Sequence, residues 1–113
     1  MSQMVREFLA SRLTLPVLAA WGARIAGSDF VSLSKYEWLT TERLEQIHQE
    51  LSLAAERLGR HNLRPVRLCW VFEYLRIYFA ARADGTSLAC YVQNAPQISV
   101  VEVEKVVEEF LVS

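Results

Sequence analysis

The stretch VRLCWVFEY, residues 66–74, decides how the rest of the chain can fold. Successive side chains of an extended strand point to opposite faces. One face then carries a row of bulky apolar and aromatic groups: Val66, Leu68, Trp70, Phe72 and Tyr74. The other face carries Arg67, Cys69, Val71 and Glu73. A long apolar strand needs a cover, which is the chain's own core, a ligand or a second copy of the chain.

The composition is that of a globular domain. Hydrophobic residues make up 52% and charged residues 22% of the 113 positions, which argues against disorder. A chain of this length suits one domain, so we expect residues 1–113 to form a single unit. The 12 basic and 13 acidic residues nearly cancel, which gives no general attraction to nucleic acid or to an anionic membrane. The sequence has no secretory leader and no apolar run of about 18 residues, so we expect a cytoplasmic protein with no membrane insertion.

The first third of the chain shows the pattern of a helix followed by a hairpin. Residues 2–11 place apolar side chains at helical spacing, and Pro16 limits the extension of this helix. Segments 17–25 and 30–36 are predicted strands, separated by turn-forming residues at 27–29.

The next apolar residues recur at intervals of three and four positions, and this spacing predicts a long helix over residues 41–60. Thr40 is the candidate N-cap, and Glu42 suits the helix dipole in the first turn. Gly59 and Asn62 are candidates to end the helix. Its apolar stripe consists of Leu44, Ile47, Leu51, Ala54, Ala55 and Leu58.

Three strands follow, over residues 66–73, 76–82 and 86–93. The first connection is a tight link around Tyr74 and Leu75, and the second contains Asp84-Gly85, a strong hairpin signal. Hairpin connections predict a largely antiparallel sheet.

A last helix follows Pro96, with a capping box from Ser99 to Glu102. Its predicted inner stripe is Val103, Val106, Val107, Phe110 and Leu111. Five strands with helices on both faces form a complete three-layer α+β domain.

The residues with catalytic potential are scattered. His48 and His61 are 13 positions apart and are predicted as surface or capping residues. Cys69 and Cys90 form no CxxC pair and are predicted as buried free thiols. The glycines stand alone, so no phosphate-binding loop can be built from them. We therefore expect a protein that is not an enzyme and holds neither metal nor cofactor.

The element order αββαβββα, the long helix TTERLEQIHQELSLAAERLGRHN (40–62) and the hairpins VRLCWVFEYLRIYFAARADGTSLACYVQ (66–93) resemble the Roadblock family. This family contains dynein light chains and gliding-motility regulators, and the resemblance covers nearly the whole chain. It implies the sheet order 2-1-5-4-3, with the long helix on one face and the terminal helices on the other. It also implies homodimers built from the long helices and third strands. Some members bind or regulate small Ras-like GTPases, and others are adaptors.

The resemblance and the apolar row together predict a homodimer interface. If the third strand is a sheet edge, its open backbone groups can pair with the same strand of a second copy. A two-fold axis near Trp70 makes facing residue numbers add to 140, which sets Arg67 opposite the partner's Glu73. The predicted interface residues are Ile47, Leu51, Leu53, Ala54, Leu58, Arg67, Cys69, Trp70, Val71, Phe72 and Glu73.

Two further hypotheses concern ligands and partners. Arg57, Arg60 and Arg64 gather around the end of the long helix and are the candidate docking surface for an acidic partner protein. The near-neutral total charge disfavours nucleic acid. Profilin-like and PAS-like domains share part of the element order, which leaves a small-molecule sensor as the alternative. Its pocket would be lined by Trp21, Tyr78 and Phe110.

Overall fold

The computed structural model describes residues 7–11, 13–26, 29–63 and 67–112. Its elements follow the predicted order. They are α1 (residues 7–11), β1 (Leu18–Arg24), β2 (Phe30–Ser34), α2 (Thr41–Gly59), β3 (Arg67–Val71), β4 (Leu75–Ala81), β5 (Ser87–Gln93) and α3 (Val101–Val112). The predicted first helix is described only from residue 7, and the predicted turn residues Gly27 and Ser28 lie outside the described ranges.

The five strands form one antiparallel sheet in the order β2-β1-β5-β4-β3. This confirms the α+β class and the strand order that the resemblance implied. Strand β5 lies in the centre and is buried from Ser87 to Val92. Strands β2 and β3 are the two edges, so the apolar row of the opening stretch lies on an edge strand.

Two hydrophobic cores lie on the two faces of the sheet, which confirms the three-layer arrangement. Under α2, Leu44 and Leu51 pack against Phe79 and Tyr91. On the opposite face, the residues of α1 and α3 pack against a second set of strand side chains. Neighbouring residues of β5 serve different cores, since Cys90 belongs to the α3 side and Tyr91 to the α2 side. This alternation is the period of two expected of a strand that is covered on both faces.

Helix α2 begins where the sequence predicts. The Thr40 side chain accepts a hydrogen bond of 3.2 Å from the backbone N–H of Arg43, which is the geometry of an N-cap. Gly59 is the last helical residue, and Asn62 adopts the left-handed conformation with φ of 62°. Asn62 therefore supplies the turn that ends the helix, because asparagine tolerates this conformation better than most residues.

Helix α3 begins one residue later than the predicted capping box requires. It starts at Val101, and the N–H of Glu104 donates to the carbonyl of Val100. Val100 packs against the core and Ser99 is exposed, so the chain enters the helix after Val100. The predicted inner stripe is correct for Val103, Val106, Val107 and Phe110, and Leu111 is half-buried.

Strand β3 ends at Val71, two residues before the predicted end. The N–H of Phe72 donates to the carbonyl of Leu75 at 2.8 Å and closes a tight turn. The side-chain amide of Asn94 donates to the carbonyls of Phe72 (2.8 Å) and Glu73 (3.4 Å) and holds this turn from the end of β5. Glu73 therefore belongs to a turn and not to the strand.

Within the described ranges, none of the helices combines the length and the apolar character that crossing a membrane requires.

Candidate protein-interaction surface

Edge strand β3 pairs only with β4 among the described elements, from Arg67 opposite Ala80 to Val71 opposite Arg76. In an antiparallel pair, every second residue of a strand directs its backbone N–H and C=O to the neighbouring strand. Because Phe72 forms such a hydrogen bond with Leu75, the residues two and four positions before Phe72 also bond to β4. Leu68 and Trp70 direct their backbone groups to β4. The remaining strand residues, Arg67, Cys69 and Val71, direct theirs away from the sheet.

Large apolar side chains at this edge are exposed. Val71 is 67%, Phe72 51% and Tyr74 74% exposed. Trp70 is only half-buried, with its ring centroid 6.2 Å from that of Phe79 in the α2-side core. The chain's own core therefore covers only part of the apolar row, and Val66 lies outside the described residues.

An apolar groove lies between α2 and the β3–β4 turn. Helix α2 begins beside β2, where Ser32 Oγ donates to Thr41 Oγ1. Its backbone lies closer to β2 and β1 than to β4 and β3, although its buried side chains reach Phe79 and Tyr91. The α2-side face of β4 and β3 is therefore only partly covered, and an open groove of about 460 Å³ remains there. Its walls and floor are formed by Trp38, Leu39, Ile47, Leu51, Phe72, Tyr74, Leu75, Ile77 and Tyr91, with Glu50 and Glu73 also lining it.

The groove contains one unsatisfied polar group. The Tyr91 side chain is fully buried, and its hydroxyl has no hydrogen-bond partner among the described residues. Burial, with a smaller contribution from Cys90, raises the pKa of Tyr91, so the hydroxyl stays protonated at neutral pH. Buried polar groups in proteins are nearly always hydrogen-bonded, so a fully buried hydroxyl without a partner among the described residues is unusual.

The predicted interface residues of α2 lie where a second helix could approach. Leu51 is buried, whereas Ile47, Ala54 and Leu58 are half-buried on the side of α2 that contains the groove residues. Leu53 is 50% exposed on the outer side of the helix. Arg57 and Arg60 are exposed near the end of α2, and Arg64 lies outside the described residues.

The prediction that both cysteines are buried is wrong for Cys69. Both thiols are free, but only Cys90 is buried, which raises its pKa to about 12. Cys69 is exposed because β3 is an edge strand and α3 lies over β4 and β5. Beside it, an open cleft of about 300 Å³ is lined by Arg67, Leu68, Cys69, Tyr78, Glu104 and Val107.

The prediction for His48 is also wrong, because this residue is buried. Its Nε2 shares a hydrogen bond of 2.7 Å with Ser87 Oγ, and its ring lies 5.3 Å from that of Phe30 and 5.4 Å from that of Phe79. Burial first, and then the charge of Arg24, lower the pKa of His48 to about 4. His61 is exposed after the end of α2, as predicted.

The hydrogen bond between His48 and Ser87 therefore connects α2 to β5 within the buried core. A histidine with this pKa is a weak base at neutral pH, and its Nδ1 has no partner among the described residues. In the same described ranges, no three His, Cys, Asp or Glu side chains gather as metal ligands.

The three residues predicted to line a sensor pocket, Trp21, Tyr78 and Phe110, do not line the same one of the cavities described for this structure. Phe110 is fully buried in the α3-side core, and Tyr78 borders the cleft beside Cys69. Trp21 borders a separate space of about 100 Å³ near β2. Valines and Phe110 of α3 fill the volume between the sheet and this helix.

These features define a Roadblock-type α+β fold. The chain is similar to two solved structures of MglB. MglB of Myxococcus xanthus superposes with a TM-score of 0.62 over 93% of this chain and 86% of that chain, at 9% identity. An MglB with tetrameric arrangement gives a TM-score of 0.63 over 96% and 86%, at 12% identity. At these identities the likeness establishes the fold alone. No protein-family model matches the sequence, and a comparison with curated protein sequences gave no match.

Proposed function

We propose that this chain is a non-enzymatic protein-interaction module that forms a homodimer and binds or regulates a small Ras-like GTPase. The observation that carries the proposal is the open, apolar edge of β3 beside the groove along α2. The β3 residues other than Leu68 belong to the predicted dimer interface, and so do four residues that line the groove: Ile47, Leu51, Phe72 and Glu73. The two surfaces adjoin at the β3–β4 turn.

The homodimer follows from the cost of leaving this surface in water. Unpaired strand edges invite pairing, and this one has exposed Val71 and Phe72 at one end. Pairing with a second β3 satisfies the outward backbone groups. We propose that the half-buried side of the partner's α2 then covers the groove and that the small side chain of Ala54 permits the two helices to approach closely.

The proposed GTPase partner rests on the Roadblock resemblance. Such a module acts by positioning the switch loops of its partner and not by chemistry of its own. Arg57, Arg60 and Arg64 are the proposed docking residues, since arginine forms bidentate bonds to carboxylates on an acidic surface. If the chain is instead an adaptor in a larger assembly, the same surfaces bind partner proteins other than a GTPase.

The dimer is tested by charge substitutions on two sides of α2. Ala54→Glu places a carboxylate in the proposed interface, and the half-buried position lets the monomer keep its fold. Ser52→Glu is the matched control, because Ser52 is also half-buried but borders a different groove, beside Gly59 and Arg82. Leu51 is 6% exposed, so a charge there would unfold the chain and test nothing about the interface.

We expect light scattering to give twice the mass of one chain for the wild type and Ser52→Glu, and the mass of one chain for Ala54→Glu. Circular dichroism should show that all three are folded. A dimer of unchanged affinity in Ala54→Glu would contradict the proposed interface.

The GTPase partner is tested by affinity capture from the native cell with the tagged wild-type chain. Capture is repeated with lysate loaded with GDP or with a non-hydrolysable GTP analogue, and with the double variant Arg57→Glu/Arg60→Glu. We expect a small GTPase that the wild type retains in one nucleotide state and the variant does not. Recovery of other partners with no GTPase in either state would exclude GTPase regulation and favour the adaptor role.

A further inference from the structure

We infer that two copies pair through β3 with Cys69 facing the partner's Cys69, so that the two-fold axis passes between these two residues. This inference rests on the proposed homodimer and gives it a register. It replaces the register predicted from the sequence, in which the axis lies at Trp70.

The direction of the backbone groups limits the possible registers. Arg67, Cys69 and Val71 direct their N–H and C=O groups away from β4, and the residues between them do not. Hydrogen bonds between two β3 strands must therefore join odd-numbered residues to odd-numbered residues. A two-fold axis then makes the numbers of facing residues add to an even number, such as 136, 138, 140 or 142.

The length of the strand selects among these registers. Strand β3 has five residues, and Cys69 is its centre. Only the register that places Cys69 on the axis pairs all five, with Arg67 opposite the partner's Val71 and Leu68 opposite the partner's Trp70. An axis displaced by one residue in either direction pairs three strand residues at most.

The β3–β4 turn disfavours an axis at Trp70. That register needs the backbone of Glu73 to pair with the partner's Arg67, but Glu73 lies in the turn. The carbonyls of Phe72 and Glu73 already accept hydrogen bonds from the Asn94 side chain. Arg67 has an alternative ion-pair partner within its own chain, since its guanidinium lies 3.1 Å from Glu108 of α3.

The opposite displacement, with the axis at Leu68, fails at the other end of the strand. Residue 65 would then face the partner's Val71, and residue 65 is a proline. Proline has no N–H to donate to a second strand. The register centred on Cys69 avoids both the proline and the turn.

This register brings two exposed thiols together. The Cα atoms of facing residues that exchange both backbone bonds lie about 5.5 Å apart in an antiparallel pair. Disulfides form across Cα separations of about 4.4–6.8 Å, so the two Cys69 residues are placed for a covalent bond. Both side chains point to the α3 side of the joined sheet, where the open cleft beside Cys69 gives an oxidant access.

The bond forms by thiol–disulfide exchange with oxidised glutathione. The thiolate of one Cys69 attacks a glutathione sulfur, forms a mixed disulfide and releases one reduced glutathione. The partner's Cys69 then displaces the second glutathione. The two cysteines lose two electrons, and the two glutathione sulfurs gain them and leave as thiols with the two cysteine protons.

The experiment measures covalent dimer formation by the full chain in oxidised glutathione on non-reducing gels. Cys69→Ser tests the site. The double variant Cys69→Ser/Val71→Cys is the matched control, because it moves an exposed thiol two positions along the same face of the same strand. In the proposed register this thiol faces the partner's Arg67 and lies far from its counterpart.

We expect the wild type to form covalent dimer at least tenfold faster than the double variant, and Cys69→Ser to form none. Equal rates would mean random collision and would overturn the register, as would a faster double variant. Light scattering of the reduced wild type separates the two proposals. A dimer that does not crosslink overturns the register and leaves the homodimer intact, whereas a monomer overturns both.

Discussion

Lowering the pH from 7.5 to 4.5 should destabilise this fold through one side chain, His48. The imidazole is 2% exposed and lies between two phenyl rings, with a single hydrogen bond to Ser87. Burial first, and then the Arg24 charge, lower the pKa of His48 from 6.5 to about 4, although the Glu45 charge opposes the change. The unfolded chain therefore binds this proton more readily than the folded chain between these two values.

The sign and the size of the effect follow from that difference. The stabilisation is fully present above pH 6.5, is lost progressively as the pH falls towards 4, and does not change further once both states are protonated. A pKa lowered from 6.5 to about 4 corresponds to a loss of about 3 kcal/mol in the free energy of unfolding. Such a loss is a large fraction of the roughly 5–15 kcal/mol that stabilises a typical domain.

The assay is urea unfolding followed by circular dichroism at several pH values and one fixed protein concentration. His48→Gln retains a polar partner for Ser87 but does not titrate, and the exposed His61→Gln is the matched control. We expect the free energy of unfolding of the wild type and of His61→Gln to fall more steeply below pH 6.5 than that of His48→Gln. Parallel curves for the wild type and His48→Gln between pH 6.5 and 4.5 would refute the reasoning.

Two further substitutions test the surroundings of the proposed interface and of His48. Asn94→Ala removes both side-chain hydrogen bonds to the β3–β4 turn, so we expect the free energy of unfolding in urea to fall by about 1 kcal/mol. An unchanged urea midpoint would show that the turn is stable without these bonds. Gly22→Ala places a methyl group 2.7 Å from the ring of Phe30, which contacts His48, so we expect overpacking to cost about 1–3 kcal/mol. Adding Phe30→Leu should recover part of that cost, and no recovery would mean that the clash lies elsewhere.

The sequence was sufficient for the elements whose signals are local. Alternation along β3 predicted which side chains share a face, and the structure places Trp70 and Phe79 together on the α2 side. Spacing of three and four predicted α2 and its cap at Thr40. These predictions succeed because periodicity and capping depend on residues within one or two turns of each other.

The errors concern contacts between distant parts of the chain. Strand β3 ends early because Asn94, which is more than twenty positions away, accommodates the turn at Phe72 and Glu73. Cys69 was assigned to the core because the sequence does not show that α3 stops short of the edge strand. The spacing of residues along α2 did indicate that His48 is buried, because His48 lies four residues after Leu44 and three before Leu51. The polar side chain nevertheless led to the prediction of a surface residue.

The two edges of the sheet differ in a way that favours a closed dimer. The N–H of Ile25 donates to the carbonyl of Asp29, so alternation leaves the outward backbone groups of β2 at Phe30, Ser32 and Ser34. Strand β2 is followed directly by a charged residue, Lys35, and a charge at a strand edge discourages pairing. Strand β3 instead continues into an apolar, exposed turn. In the proposed dimer, two-fold pairing uses the β3 edge of both copies and leaves β2 as the outer edge of the joined sheet.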